Sequence, residues 1–159
     1  MNSLPKHRIL LIDTDSEYLC RLFDVLIMGY EVLVRNDTVS ALNNLHHIEP
    51  DVIVLETKMP EMDGFEFARL LRRRIEHRQV PVIFLTADLT EADRRVAGMV
   101  GAMLCLTKEM SLAHIASSIS RVIQQSAIPV RQKTISLHEL YDEQHEEAVR
   151  EKKQPRPPL

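Results

Sequence analysis

The sequence predicts a doubly wound α/β domain followed by a C-terminal extension. Two observations predict it. Five short aliphatic runs recur at residues 9–12, 31–34, 52–55, 82–86 and 103–106. Stretches with helical periodicity separate them. Several of the runs are nearly continuous in Val, Ile and Leu, which is how strands covered on both faces of a parallel sheet read. Strands alternating with helices bury such a sheet between two helical layers, with right-handed crossovers.

The elements follow in order. After the first run, Leu19, Leu22, Phe23, Leu26 and Ile27 fall at i, i+3, i+4, i+7 and i+8 and form one apolar stripe. Gly29 is a stop signal for that helix. Residues 39–45 read as a short second helix. Residues 65–75 read as a third, with Phe67, Leu70 and Leu71 on one face. Thr90, with Asp93 three residues on, has the form of a cap opening a fourth. Ser111 caps a fifth, whose stripe is Leu112, Ile115, Ala116, Ile119, Val122 and Ile123. The α/β domain is expected over residues 6–126. Residues 127–159 form a tail, with Ile128-Pro129 ending the last helix. A capping box at Ser136–Glu139 predicts a short helix over 137–152. The proline-rich end after it is expected to be extended or disordered.

Bulk properties narrow the function classes. The chain has 159 residues, 45% of them hydrophobic, enough for one buried core. A net charge of −3 gives no general attraction to nucleic acid or anionic lipid, and no partner of either kind is expected. No apolar run is long enough for a membrane span, and residues 1–7 lack the apolar core of a signal peptide. The two cysteines, Cys20 and Cys105, fit a reduced, cytoplasmic protein. Arg69, Arg72, Arg73, Arg74 and Arg78 read as a solvated helix face.

Sites in such folds lie beyond the carboxyl ends of the strands. There the sequence places Asp13, Thr14 and Asp15 after the first run, Glu56 after the third, Thr86 at the end of the fourth, and Lys108 after the fifth. Carboxylates, a hydroxyl and a lysine thus converge on one edge.

This set resembles the receiver domain of bacterial two-component response regulators. The resemblance rests on Arg8-Ile9-Leu10-Leu11-Ile12-Asp13, Pro50-Asp51-Val52-Ile53-Val54-Leu55 and Met59-Pro60-Glu61-Met62-Asp63-Gly64. It continues through Pro81-Val82-Ile83-Phe84-Leu85-Thr86-Ala87, Gly101-Ala102 and Leu106-Thr107-Lys108, and so covers about residues 6–125. It implies a flavodoxin-like five-stranded parallel sheet in the order 2-1-3-4-5. It also implies a site in which an aspartate accepts a phosphoryl group beside Mg²⁺ held by paired acids. A hydroxyl and a lysine bind the phosphoryl oxygens, and an aromatic reports the change.

Carried over residue by residue, half of that pattern is kept. Asp13 matches the first acid, but Thr14 stands where the second belongs. Glu56 replaces the phosphoacceptor, and Cys105 takes the place of the switch aromatic. Thr86 and Lys108 match the hydroxyl and the lysine. Mg²⁺ wants several hard oxygen ligands at short distances. Loss of one carboxylate and displacement of another therefore argue against it, with Asp13 only a remnant ligand. No cofactor and no enzymatic activity are expected.

Two readings of Glu56 stay open: a permanent mimic of phosphoaspartate held by Thr86 and Lys108, or an inert, solvated remnant. Lys58 is a candidate internal cation that folds over Asp13 and Glu56 in place of the metal. Output is expected through binding of a protein partner (a histidine kinase, an output protein or another signalling protein) or of a second copy. The candidate surface is Met103 and Leu104, together with Leu137, Leu140 and Tyr141 of the tail. The alternatives are weak metal-dependent phosphorylation or an adaptor scaffold without signal input.

Overall fold

In a computed structural model, residues 5–126 are described. They form five strands and six helices in strict alternation apart from one split helix. The elements are β1 (Arg8–Ile12), α1 (Ser16–Leu26), β2 (Glu31–Arg35), α2 (Thr38–Asn43), α3 (Leu45–Ile48) and β3 (Val52–Leu55). They continue with α4 (Gly64–Arg73), β4 (Val82–Thr86), α5 (Glu91–Met99), β5 (Leu104–Thr107) and α6 (Leu112–Gln125). The sheet is parallel throughout, in the order β2-β1-β3-β4-β5.

Because side chains alternate along a strand, the continuous aliphatic runs divide into two cores. Leu10, Ile12, Ile53, Leu55, Val82 and Phe84 face one side, where Leu42, Leu45, Phe67, Leu71, Ala97 and Val100 cover them. Ile9, Leu11, Val52, Val54, Ile83, Leu85 and Leu106 face the other, covered by Leu19, Leu22 and Leu26 of α1 and by Ile115, Ile119, Val122 and Ile123 of α6. The stripes of the first and last helices thus pack against one face of the sheet.

Every helix start but that of α3 is fixed by a side-chain cap. Asp15, Asp37, Asp63 and Ser111 each accept from the backbone N–H three residues on, and Thr90 and Asp93 form a reciprocal capping box.

Three boundaries differ from the expectation. The single second helix is two, because Asn44 leaves helical geometry and its side chain turns back to the Ser40 carbonyl. The third helix stops at Arg73, before Ile75. The last strand is shifted by one residue, so Thr107 pairs with Thr86 and Met103 lies outside the ladder. The tail residues Leu137, Leu140 and Tyr141, and the helix expected over 137–152, lie outside the described residues.

Candidate functional site

The carboxyl ends of β1, β3, β4 and β5 bring Asp13, Glu56, Thr86 and Lys108 together. Asp13 and Glu56 leave adjacent parallel strands, since Ile12 pairs with Leu55. Thr86 ends β4 beside β3 and Lys108 follows β5 beside β4. The backbone locks this edge: the Glu56 N–H donates to the Ile12 carbonyl at 3.0 Å, and the Lys108 N–H to the Thr86 carbonyl at 2.9 Å.

All four polar side chains are shielded from water. Asp13 is 4% exposed, Glu56 7% and Thr86 1%, and the Lys108 side chain is 12% exposed. Charges so placed need partners, and Lys108 supplies them. Its ammonium lies 2.6 Å from Asp13 Oδ2 and 3.3 Å from Glu56 Oε2. Burial alone pushes the Lys108 pKa down, but hydrogen bonding and attraction to Asp13 and Glu56 win and hold it above the ordinary lysine value.

The second oxygen of Glu56 is equally committed. Oε1 accepts from the Thr57 N–H at 2.7 Å, the Thr57 hydroxyl at 3.1 Å and the Lys58 N–H at 3.2 Å. The Thr57 hydroxyl also lies 3.2 Å from Thr86 Oγ1, linking Glu56 to the end of β4. Burial raises the Glu56 pKa. The Thr86 hydroxyl, the Lys58 and Thr57 amides and the Lys108 charge outweigh it, so the carboxyl sits below its usual range and Glu56 is ionised at neutral pH.

Sequence reasoning did not single out Thr57 or Tyr18. The Tyr18 ring, 5% exposed on the first turn of α1, has the Lys108 ammonium 4.9 Å from its centroid. Its hydroxyl is buried without a hydrogen-bond partner among the described residues. Desolvation, reinforced by Asp13, pushes this phenol up to about 12. The only signal in the sequence was an aromatic at a stripe position next to Leu19.

Lys58 and Arg72 are placed differently from expectation. The Lys58 ammonium does not cover Asp13 and Glu56; it is exposed and pairs with Asp88 at 3.4 Å, leaving only its backbone N–H on Glu56. The cation between the two carboxylates is Lys108. Thr14 is exposed. Asp15 caps α1 and donates its N–H to Asp13 Oδ1 at 2.9 Å. Cys105 is half-buried, packs against the first core, and has its thiol pushed up by burial. Leu104 packs against the second core, whereas Met103 is 46% exposed. Arg72 is no solvated charge: its guanidinium donates to the carbonyls of Arg78, Val80, Val100 and Gly101.

The oxygens present do not fit a Mg²⁺ site as they stand. Both Asp13 oxygens and both Glu56 oxygens already accept from internal donors, and the ion needs near-octahedral oxygen ligation. Among the described residues no group of three His, Cys, Asp or Glu side chains is placed to hold a metal.

Known proteins share this architecture. The family model described as the response regulator receiver domain matches residues 9–120. The chain belongs to the response regulator receiver family. The receiver is 35% identical over 120 residues to the transcriptional regulatory protein PrrA of Mycobacterium leprae, covering 74% of this chain and 50% of that protein. It is 28% identical over 122 residues to the alkaline phosphatase synthesis transcriptional regulatory protein PhoP of Bacillus subtilis, covering 76% and 50%. The chain therefore spans about half the length of these relatives. Among solved structures, the chemotaxis protein CheY4 of Vibrio cholerae superposes with a TM-score of 0.67 at 26% identity, covering 74% of this receiver and 98% of that chain. A CheY-like receiver domain protein from Methanospirillum hungatei gives 0.70 at 19% identity, a likeness of fold, covering 76% and 96%. The receiver is thus a domain of two-component signalling. No helix among the described residues is long and apolar enough to cross a membrane.

Proposed function

We propose that this receiver signals by protein–protein interaction without accepting a phosphoryl group, Glu56 holding the pocket permanently in one state. One observation carries the reading: the Lys108 ammonium bridges Asp13 and Glu56. Phosphoryl transfer rests on metal charge neutralisation and on positioning. Here an internal cation takes the neutralising role on one oxygen of each carboxylate, and the other oxygens accept from Asp15, Thr57 and Lys58. Glu56 is buried and bonded through both oxygens, which favours a fixed anionic centre over a solvated remnant. Its link through Thr57 to Thr86 supports communication from that centre to the β4 end. The partner is a protein of the signalling pathway, such as a kinase or an output protein, met in the cytoplasm.

The reading is tested by ¹⁵N NMR of the full chain. Glu56→Gln is expected to move the amides of Thr86 and Cys105 as well as those around residue 56. Shifts confined to residues 55–58 would mean that Glu56 is inert. The double variant Thr14→Asp with Glu56→Asp is expected to gain Mg²⁺-dependent shifts at Asp13 that the native chain lacks.

A further inference from the structure

A groove of about 940 Å³ lies at the opposite end of the sheet, far from the Glu56 pocket in the strand direction. It is lined by the residues entering β3, β4 and β5, by the loop after α4, and by Ser126, the last described residue. Arg72 braces its walls, since one guanidinium ties the Arg78–Val80 loop to the turn at Val100 and Gly101. Two large apolar side chains stand at this groove, Ile75 at 83% exposure and Met103 at 46%. Its charged lining is Arg72, which meets only carbonyls, and the exposed Arg78, together with Asp51 and Glu76.

We propose that the chain's own segment 137–149 docks in this groove. The chain continues from a residue that itself lines the groove. The stretch from Ser126 to Leu137 reaches at most about 40 Å when extended, ample for a return to the same groove. The segment matches it chemically. Leu137, Leu140 and Tyr141 are apolar partners for Ile75 and Met103. Glu139, Asp142, Glu143, Glu146 and Glu147 accompany them, with no Lys or Arg from residue 134 to 149. Arg72 and Arg78 of the lining offer the opposite charge alongside Asp51 and Glu76, so the apolar pair and the short tether carry most of the match. Tethering raises the effective concentration of such a weak contact to the millimolar range. The inference is independent of the Glu56 chemistry.

The test uses a nitroxide on Gln144→Cys in the full chain, with Cys20→Ser and Cys105→Ala. The expected result is loss of amide signal at Ile75, Gly101 and Met103, unchanged on dilution, with the amides of Glu56 and Thr86 retained. Leu140→Asp with Tyr141→Asp, or Arg78→Glu at the exposed groove wall, should restore the lost signals. Unattenuated groove amides overturn the proposal. So does attenuation of the groove amides of spin-free ¹⁵N chains by admixed spin-labelled chains, since a second copy is then the occupant.

Discussion

Lys108 is the residue on which the pocket turns. Two carboxylates leave neighbouring strands, and a single ammonium lies between them at 2.6 and 3.3 Å. Removing one member of a buried charge set strands the rest, which costs more than the set contributes as a whole. Lys108→Met is therefore expected to lower unfolding free energy by about 3 kcal/mol, read by urea denaturation. Adding Asp13→Asn and Glu56→Gln to that variant should recover much of the loss, because the stranded charges are then gone. A triple variant as unstable as the single one would contradict the bridge. Thr57→Val removes one hydroxyl bonded to both Glu56 and Thr86 and should cost about 1 kcal/mol. Tyr18 gives a spectroscopic marker of the same pocket. Its phenol should ionise near 12 in an ultraviolet titration, and Tyr18→Phe should remove that late step. At this scale the sequence was informative about which residues meet, because strand ends fix Cα positions. It offered two lysines, Lys108 on Glu56 through the resemblance and Lys58 folded over the pocket, since both side chains follow strands and only packing chooses between them. Lys108 is drawn in across the Tyr18 ring, whereas Lys58 finds Asp88 at the surface.

At the scale of elements, the β3–α4 connection is closely packed at Gly64. Gly64 opens α4 directly beneath Glu56, and its N–H donates to the Thr57 carbonyl at 2.9 Å. A Cβ there would come within 2.5 Å of the Glu56 carbonyl oxygen, 3.0 Å of Thr57 Cα and 3.2 Å of Phe84. Two of those atoms are backbone and cannot step aside cheaply. Gly64→Ala is thus expected to cost about 1–3 kcal/mol and to shift the amides of Glu56 and Thr57. An unchanged melting curve and unchanged amides would show that the connection is looser than the structure has it. Local signals elsewhere are legible in the sequence. Thr90 and Asp93 cap α5 in the anticipated way because a capping box is a local device. The break between α2 and α3 was not legible, since it depends on where Leu42, Leu45 and Ile48 must meet the sheet.

For the whole molecule, the two-sided sheet explains why so much of the fold could be read directly. Continuous aliphatic runs require cover on both faces, and the periodic stretches between them are the cover. The pocket at one end then sets how stability depends on pH. The Glu56 pKa is depressed in the fold, so its contribution is present above the ordinary carboxylate value and is lost as pH falls through the depressed one. The Lys108 pKa is raised, so its contribution is present below the ordinary lysine value and is lost as pH rises through the raised one. Stability should therefore fall off in acid and in strong alkali, and Glu56→Gln should flatten the acid limb, as followed by thermal melts across pH. An acid limb identical in that variant would remove Glu56 from the linkage.

Signalling without phosphorylation is tested most directly by the intact mass of the full chain after incubation with acetyl phosphate and Mg²⁺. The bridge of Lys108 across Asp13 and Glu56 predicts an unchanged mass. An added phosphoryl group that disappears in Glu56→Gln would contradict it.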